Sequence, residues 1–257
     1  MTYCLAVHVN DGLVFCSDSR TNAGVDMAST YSKMFCFGKE GERQMVILSA
    51  GNLATTQGVI QRIKRDIKQG ADVTLMNVSH MEDAADYIGS LSVAVQAKYS
   101  SPEQSFEASF IVGGQIGDEA PRLFLVYPQG NHITTSTDTP YLQIGETKYG
   151  KPILDRIITN ATPLDKVALA ALVSMDSTMR SNLTVGPPFE IQIYERDRLG
   201  LRRYHRFDAE SEYLREIKRV WDESLNAAFN RLPPIAWAFS WDERADGENA
   251  ASPPQAG

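Results

Sequence analysis

The chain has 257 residues and a formal net charge of −7, and 43% of its residues are hydrophobic, which is enough to build a sizeable core. This acidic balance disfavours nucleic acid as a partner, because affinity for nucleic acid comes largely from basic residues that neutralise phosphates. No apolar run reaches membrane-spanning length, and the N-terminus lacks the pattern of a signal peptide. We therefore expect a cytoplasmic protein that binds no membrane.

The first fifty residues are predicted to form a meander of strands. Asn10-Asp11-Gly12 stands between two runs of β-forming residues, which is typical of a hairpin. A polar turn is expected at 20–24. Strands are predicted at 4–9, 13–17, 33–37 and 44–49.

Two helices are predicted next, because the apolar residues then recur with a helical period. Asn52 is the expected N-cap of the first helix, in which Ile60, Ile63 and Ile67 share one face. The second helix covers 84–95 and ends before a break at 100–102.

The second half of the chain repeats this alternation. Thr162 is the expected N-cap of a helix that begins at Pro163 and runs to about residue 179. Strands are predicted at 106–112, 122–127, 133–135, 189–194 and 201–207, and further helices at 149–158 and 208–230.

This element order predicts an α+β fold with two antiparallel sheets stacked face to face and helices outside them, a four-layer αββα sandwich. We expect a single domain over residues 1–241 that includes the helix at 208–230. Residues 242–257 are too polar to bury a core and are expected to form a disordered tail.

Familiar catalytic and metal-binding motifs are missing from the sequence. The four histidines form no helical pair at i and i+4, and neither G-x-S-x-G nor H-E-x-x-H occurs. The glycines at 113–117 are interpreted as a turn at a strand end. Cys4, Cys16 and Cys36 form no C-x-x-C pair and are expected to be reduced core residues.

Thr2 is a candidate nucleophile because it follows Met1 directly and is small enough for the initiator methionine to be removed. Removal would expose an α-amine with a pKa of roughly 8, which can act as general base for the hydroxyl of the same residue. The β-methyl group restricts χ1 and helps to aim the hydroxyl. Since chains that open on Met-Thr are common, this interpretation depends on the companions of Thr2.

Three motifs supply those companions. Asp18-Ser19-Arg20-Thr21-Asn22-Ala23-Gly24 begins sixteen positions after Thr2, Lys33 follows in Ala28-Ser-Thr-Tyr-Ser-Lys33-Met, and Ser49-Ala50-Gly51-Asn52 joins a strand to a helix. Together they resemble the motifs of the N-terminal-nucleophile hydrolases of the proteasome β-subunit and bacterial HslV type, and within them the Anbu subgroup. Lys33 lies one position closer to the threonine than in most proteasome subunits, as in that subgroup. The resemblance covers roughly residues 2–200.

The resemblance implies a role for each residue. Thr2 is the nucleophile, an ammonium at Lys33 favours the free amine form, and Asp18 compensates the lysine charge and fixes its position. The Gly51 amide, at a helix N-terminus, stabilises the developing oxyanion. This chemistry requires no metal and no organic cofactor.

Two later stretches depart from the family pattern. The family has an aspartate and a serine three apart that bond to the nucleophile's amine, and these positions align here with Thr178 and Ser181. Ser181 therefore carries over, while Asp176 is a candidate to supply the carboxylate from a neighbouring position. Glu146 stands where the family usually has a serine near the amine, and a carboxylate there would raise the amine's pKa.

The predicted function is that of an N-terminal threonine hydrolase for amide bonds, in particular those of peptides. The resemblance also implies a self-compartmentalising homo-oligomer, as a ring or an open spiral, and allows a separate ATP-dependent partner. One alternative is a noncatalytic scaffold subunit, which the presence of Thr2, Asp18 and Lys33 together disfavours. Another is an amidohydrolase for small amides or γ-glutamyl compounds on the same fold, which the departures at Glu146 and Thr178 keep open.

Overall fold

The computed structural model describes residues 1–22, 28–99 and 105–235. By their contacts the residues form two compact units, Met1–Ile217 and Lys218–Gly257. The predicted tail at 242–257 lies outside the described residues, as do Ala23 and Gly24 of the first motif. The single domain over 1–241 stays a prediction.

The first antiparallel sheet contains the strand that follows Thr2. Its strand order is β10-β1-β2-β11-β12, so strands from both ends of the first unit lie side by side. The predicted hairpin of the first two strands is confirmed, with Cys4 opposite Ser17. The strands are β1 (Tyr3–Val9), β2 (Gly12–Asp18), β10 (Tyr141–Gly145), β11 (Phe189–Glu195) and β12 (Arg203–Phe207).

The second antiparallel sheet also has five strands, in the order β5-β6-β7-β8-β9. It carries Gly51 at the end of its second strand and leads directly into the first helix. The strands are β5 (Met34–Lys39), β6 (Arg43–Gly51), β7 (Ala108–Ile116), β8 (Arg122–Val126) and β9 (His132–Thr134).

A short ribbon of two strands, β3 (Arg20–Asn22) and β4 (Ala28–Thr30), connects the two sheets. The turn predicted at 20–24 was therefore wrong for residues 20–22. The cause is backbone pairing with a partner further along the chain, in which Arg20 lies opposite Thr30 and Asn22 opposite Ala28. Polar side chains do not prevent such pairing, since the ladder uses backbone groups alone.

Five helices complete the described fold: α1 (Leu53–Gln69), α2 (Met81–Tyr99), α3 (Lys151–Ile157), α4 (Leu164–Ser181) and α5 (Glu212–Phe229). The N-cap predicted for α1 is confirmed, because the Asn52 side chain accepts the Thr55 N–H at 3.2 Å. The cap predicted for α4 was wrong by one position. Pro163 is its N-cap, and the Thr162 hydroxyl instead accepts the N–H of Thr159 at 2.9 Å.

Three hydrophobic clusters show that these elements stack in four layers. One cluster joins α1 and α2 to the second sheet, and a second fills the space between the sheets. The third joins the first sheet to α3 and α4, and Leu214 and Ile217 of α5 pack against it. The predicted α+β, four-layer αββα architecture is confirmed.

The burial of one cysteine differs from the prediction. Cys36 was expected in the core but is exposed, whereas Cys4 and Cys16 are buried. Within the described residues, no helix combines the length and the apolar character that crossing a bilayer requires.

Candidate active site

Thr2 is held where the first sheet begins. Its carbonyl oxygen accepts the N–H of Glu146 at 2.7 Å. The next residue, Tyr3, is fully buried, and its backbone N–H donates to Asp18 Oδ1 at 2.9 Å. The Tyr3 hydroxyl lies 2.7 Å from Ser174 Oγ of α4. Contacts from β2, α4 and the end of β10 therefore fix the backbone around Thr2.

Asp18 and Lys33 form a buried ion pair, with 2.7 Å between Lys33 Nζ and Asp18 Oδ1. The ammonium also donates to the carbonyl oxygen of Arg20 at 2.7 Å. Burial raises the pKa of the Asp18 carboxyl, and the Lys33 ammonium and the N–H groups of Tyr3 and Gly186 partly offset that rise. The lysine charge is thus held in one place by a carboxylate and a carbonyl.

Gly51 ends β6 and lies one residue before the N-cap of α1. Its φ is +110°, and a Cβ atom there would lie 2.4 Å from the carbonyl oxygen of Glu107, which directly precedes the neighbouring strand β7. Only glycine adopts this backbone conformation without strain. The close approach of the Glu107 carbonyl fixes the backbone beside the pocket.

We expect Gly51→Ala to lower the free energy of unfolding by about 3 kcal/mol or more, since it combines an unfavourable φ with a clash against backbone. Gly41→Ala is the matched control, because Gly41 has φ +77° but nothing within 4 Å of an added Cβ. That control should lose only about 1 kcal/mol. Urea denaturation of both variants checks this, and equal losses would contradict the clash.

A pocket of about 330 Å³ opens beside Thr2. Thr2, Lys33 and Gly51 all line it, so the structure brings together three of the predicted site residues. Helix α1 supplies one wall through Leu53, Thr56, Gln57, Ile60, Gln61 and Lys64. The pocket is large enough to accept one substrate side chain next to the Thr2 hydroxyl.

Glu146 lies directly after β10, and its N–H bonds to the carbonyl of Thr2, which lines this pocket. It is buried, and its Oε2 accepts a hydrogen bond from the Asn182 side chain at 2.9 Å. Lys148 Nζ lies 3.8 Å from the other carboxylate oxygen. Ser181, the last residue of α4, is exposed and immediately precedes Asn182. The residue after α4, Asn182, therefore contacts Glu146, whose N–H bonds to the Thr2 carbonyl.

Thr178 and Asp176 are buried within α4. The Thr178 hydroxyl donates to the carbonyl oxygen of Ser174 at 2.9 Å, so it is used inside its own helix. Asp176 precedes Ser181 by five residues, which corresponds to roughly 140° around the helix axis. The two side chains therefore lie on different faces of α4, and their roles stay predictions.

The α-amine of the unprocessed chain belongs to Met1, which is 64% exposed. Burial of the amine, and then the Lys33 charge, lower its pKa, while Asp18 and Glu146 raise it. The charges predicted to tune an amine at Thr2 thus already act on the amine one residue earlier.

Sequence reasoning missed one buried carboxylate near the site. Glu190 belongs to β11, whose alternating pattern was interpreted as a half-buried strand, but Glu190 is 6% and Gln192 1% exposed. The only signal in the sequence is the regular spacing of polar residues in that strand, which also fits a solvent-facing side.

The fold and the site place this chain among proteasome-type subunits, and the family comparison agrees. Residues 2–193 match the family described as proteasome subunit. The chain therefore belongs to the proteasome family. No curated protein matches it.

Solved structures similar to this chain include proteins described as Anbu (ancestral beta-subunit). One is Anbu from Yersinia bercovieri, with 45% identity, a TM-score of 0.87, and coverage of 91% of this chain and 99% of that one. Another is described as the helical assembly of the Anbu complex from Pseudomonas aeruginosa, with 46% identity, a TM-score of 0.89, and coverage of 93% and 100%. Anbu from Hyphomicrobium sp. strain MC1 has 43% identity, a TM-score of 0.85, and coverage of 91% and 100%.

Proposed function

We propose that this protein is an N-terminal threonine hydrolase that cleaves amide bonds, in particular peptide bonds. The observation that supports this most directly is the shared pocket of Thr2, Lys33 and Gly51, with Lys33 held by Asp18. A scaffold subunit has no need for a buried ion pair beside its N-terminal threonine, so this arrangement favours catalysis.

The proposed reaction requires removal of Met1 by a methionine aminopeptidase. Hydrolysis of the peptide bond between Met1 and Thr2 releases methionine and leaves a free amine on Thr2. Met1 is 64% exposed, which gives such an enzyme access. Thr2 then carries both the nucleophile and its general base.

Acylation follows from this geometry. The Thr2 amine takes the proton of its hydroxyl as Oγ1 attacks the substrate carbonyl carbon, and the new oxyanion accepts the Gly51 N–H. The carbon–nitrogen bond then breaks, and the proton passes from the ammonium to the leaving amine. Water attacks the resulting ester with the same amine as base, which releases the acid and restores Thr2.

The charges around the amine set the pH at which it is neutral. At the Met1 amine, burial and then the Lys33 charge lower the pKa, while Asp18 and Glu146 raise it, and the same charges are proposed to act on the Thr2 amine once Met1 is removed. Ser181 and Asp176 are proposed as further groups that bind or orient the amine, because the end of α4 contacts Glu146 through Asn182. The balance of these charges should appear in the pH profile.

Glu146→Gln should move the pH profile to lower pH. Activity needs the neutral amine, so it rises with pH through the amine's pKa. Glu146 raises the pKa of the Met1 amine and is proposed to raise that of the Thr2 amine, so its removal should shift the rising part of the profile to lower pH. Asp138→Asn removes one exposed carboxylate from the loop before β10 and serves as control. Profiles of kcat against pH that coincide for the wild type and Glu146→Gln would contradict a role for Glu146.

A second candidate substrate class is favoured by the composition of the pocket wall. Gln57, Gln61 and Lys64 line it together with the apolar Ile60, and an ammonium can bind a substrate carboxylate. A γ-glutamyl or other small acidic amide would fit this wall. Such a substrate keeps the same nucleophile and the same reaction.

Hydrolysis of two chromogenic anilides tests the proposal and separates the substrate classes. We expect turnover of a peptidyl anilide, with Thr2→Ala as the blank. Faster turnover of a γ-glutamyl anilide would favour the small-amide reaction. Turnover of neither by a protein that lacks Met1 would favour the scaffold subunit.

We further propose that the chain assembles with copies of itself, as a ring or an open spiral. The support is its 46% identity with the Pseudomonas aeruginosa protein whose structure is described as a helical assembly. A separate ATP-dependent partner and a peptide substrate follow from the family resemblance.

A further inference from the structure

A buried carboxylate lies at the base of the β3–β4 ribbon. Glu190 of β11 is 6% exposed, and three hydroxyl groups donate to it. Ser32 Oγ lies 2.7 Å from Oε2, Ser19 Oγ 3.4 Å from Oε2, and the Tyr204 hydroxyl 2.8 Å from Oε1. Among the residues that the structure describes, none forms an ion pair with Glu190.

Two of these donors are the immediate neighbours of the catalytic ion pair. Ser19 follows Asp18 and Ser32 precedes Lys33, and both strands of the ribbon, β3 and β4, lie between the two serines in the sequence. The backbone also closes there, since the Tyr31 N–H donates to the Ser19 carbonyl at 2.9 Å. One carboxylate therefore bonds to both points at which the ribbon joins the body of the protein.

A carboxylate fixes the direction of the hydrogen bonds that it takes part in. It can only accept, so each serine hydroxyl that bonds to it must point its proton at it. The Ser32 hydroxyl also lies 3.0 Å from the Met34 carbonyl oxygen, but the bond to the charged acceptor is shorter and about twice as strong as a neutral one. Partial burial and the Glu190 carboxylate raise the pKa of Tyr204 to about 12, so its hydroxyl is also a donor at neutral pH.

We infer that Glu190 is a positioning residue, which acts through Ser19 and Ser32 to hold Asp18 and Lys33 in register beside Thr2. This inference rests on the proposed function for its kinetic consequence. A displacement of about 1 Å in a catalytic group can lower a rate by about 100-fold, so loosening both attachment points should slow acylation. Substrate binding should change less than the rate, because Glu190 does not itself line the pocket and contacts it through Ser32.

The test compares Glu190→Gln with Tyr204→Phe. The glutamine keeps the size of the side chain but replaces one acceptor oxygen by a donor, whereas the phenylalanine removes the one hydrogen bond that does not come from the ribbon. We expect kcat for Glu190→Gln to fall by about tenfold or more with KM within about twofold, and Tyr204→Phe to stay within about twofold of the wild type. Equal rates in both variants would overturn the inference.

A double-mutant cycle gives a sharper criterion. Ser32→Ala removes the shortest of the three bonds, so its loss in kcat should overlap with that of Glu190→Gln. The double variant should therefore be no slower than the slower single variant, because the two residues act as one unit. Losses that multiply would overturn the inference.

Hydrogen exchange supplies a readout that does not depend on activity. The Ser49 N–H donates to the Lys33 carbonyl at 3.0 Å, and the Tyr31 N–H donates to Ser19. In Glu190→Gln both amides should exchange at least about tenfold faster, and in Tyr204→Phe they should not. If the wild type proves inactive but this difference appears, the proposed function fails and Glu190 still positions the pair. Unchanged exchange in Glu190→Gln would overturn the inference, whatever the activity.

Discussion

Replacing Thr2 by alanine is expected to lower amide hydrolysis by at least about 10³-fold, because the variant keeps the N-terminal amine and loses the attacking oxygen. Thr2→Ser should retain activity within about tenfold, since serine supplies the same two groups and lacks only the methyl that restricts χ1. The measurement is kcat/KM on a peptidyl anilide. Both residues are small enough for Met1 to be removed.

The stability of these two variants provides the control. Thr2 is half-buried and precedes β1, so neither replacement should change the melting temperature by more than about 2 °C. An alanine variant that hydrolyses the anilide as fast as the wild type would show that another residue attacks the carbonyl.

Lys33→Ala should lose both activity and stability. Without the ammonium, the Asp18 carboxylate is fully buried with only backbone N–H donors, and breaking such a pair typically costs about 3–5 kcal/mol. Activity should fall by about 100-fold or more, because the charge that favours the free amine is gone. Urea denaturation and anilide hydrolysis measure the two effects.

The double variant Asp18→Asn/Lys33→Met separates the loss of stability from the loss of activity. Removing both charges leaves no unpaired ion, so most of the lost stability should return while the activity does not. Failure of the double variant to regain stability would contradict the buried charge as the cause.

The stability of Lys33→Ala should depend on pH in a defined direction. Burial raises the pKa of Asp18 in the folded protein, and loss of the ammonium that partly offsets this should raise it further. A group whose pKa is higher in the folded state than in the unfolded state binds more protons in the folded state. Stability therefore falls as the pH rises from the unfolded pKa to the folded pKa. The deficit of Lys33→Ala relative to the wild type should therefore shrink as pH is lowered toward about 4.

The residues at the core of the site were predicted through the family resemblance, and local features explain why they lie close together. A hairpin brings the start of β1 next to the end of β2, which explains why Thr2 and Asp18 are separated by sixteen positions and yet adjacent in space. Gly51 follows from a strand that ends where an Asn-capped helix begins. These relations lie within short stretches of sequence.

Glu146 was harder to place because its strand was not predicted. Tyr141–Gly145 is a short strand, and its partner β1 lies more than one hundred residues earlier in the chain. Pairing at such a separation depends on the assembled sheets and not on local propensity. Only the structure shows that the Glu146 N–H bonds to Thr2.

Glu190 was missed for a related reason. Alternation of polar and apolar residues in Phe189–Glu195 fits a strand with one solvated face, but here β11 lies between β2 and β12 with a second sheet stacked against it. Its polar residues are therefore buried: Glu190 accepts from Ser19, Ser32 and Tyr204, and Gln192 donates to the Ile193 carbonyl. Alternation of polar and apolar residues alone does not distinguish a buried polar network from a solvent-exposed face.

Intact mass after reaction with a threonine-directed epoxyketone tests the central claim most directly, because this reagent closes a ring with both the hydroxyl and the free amine of one residue. We expect a chain that lacks Met1 and carries one adduct, and we expect Thr2→Ala to carry none. A chain that retains Met1 and stays unlabelled would contradict the catalytic assignment of Thr2 and favour the scaffold subunit.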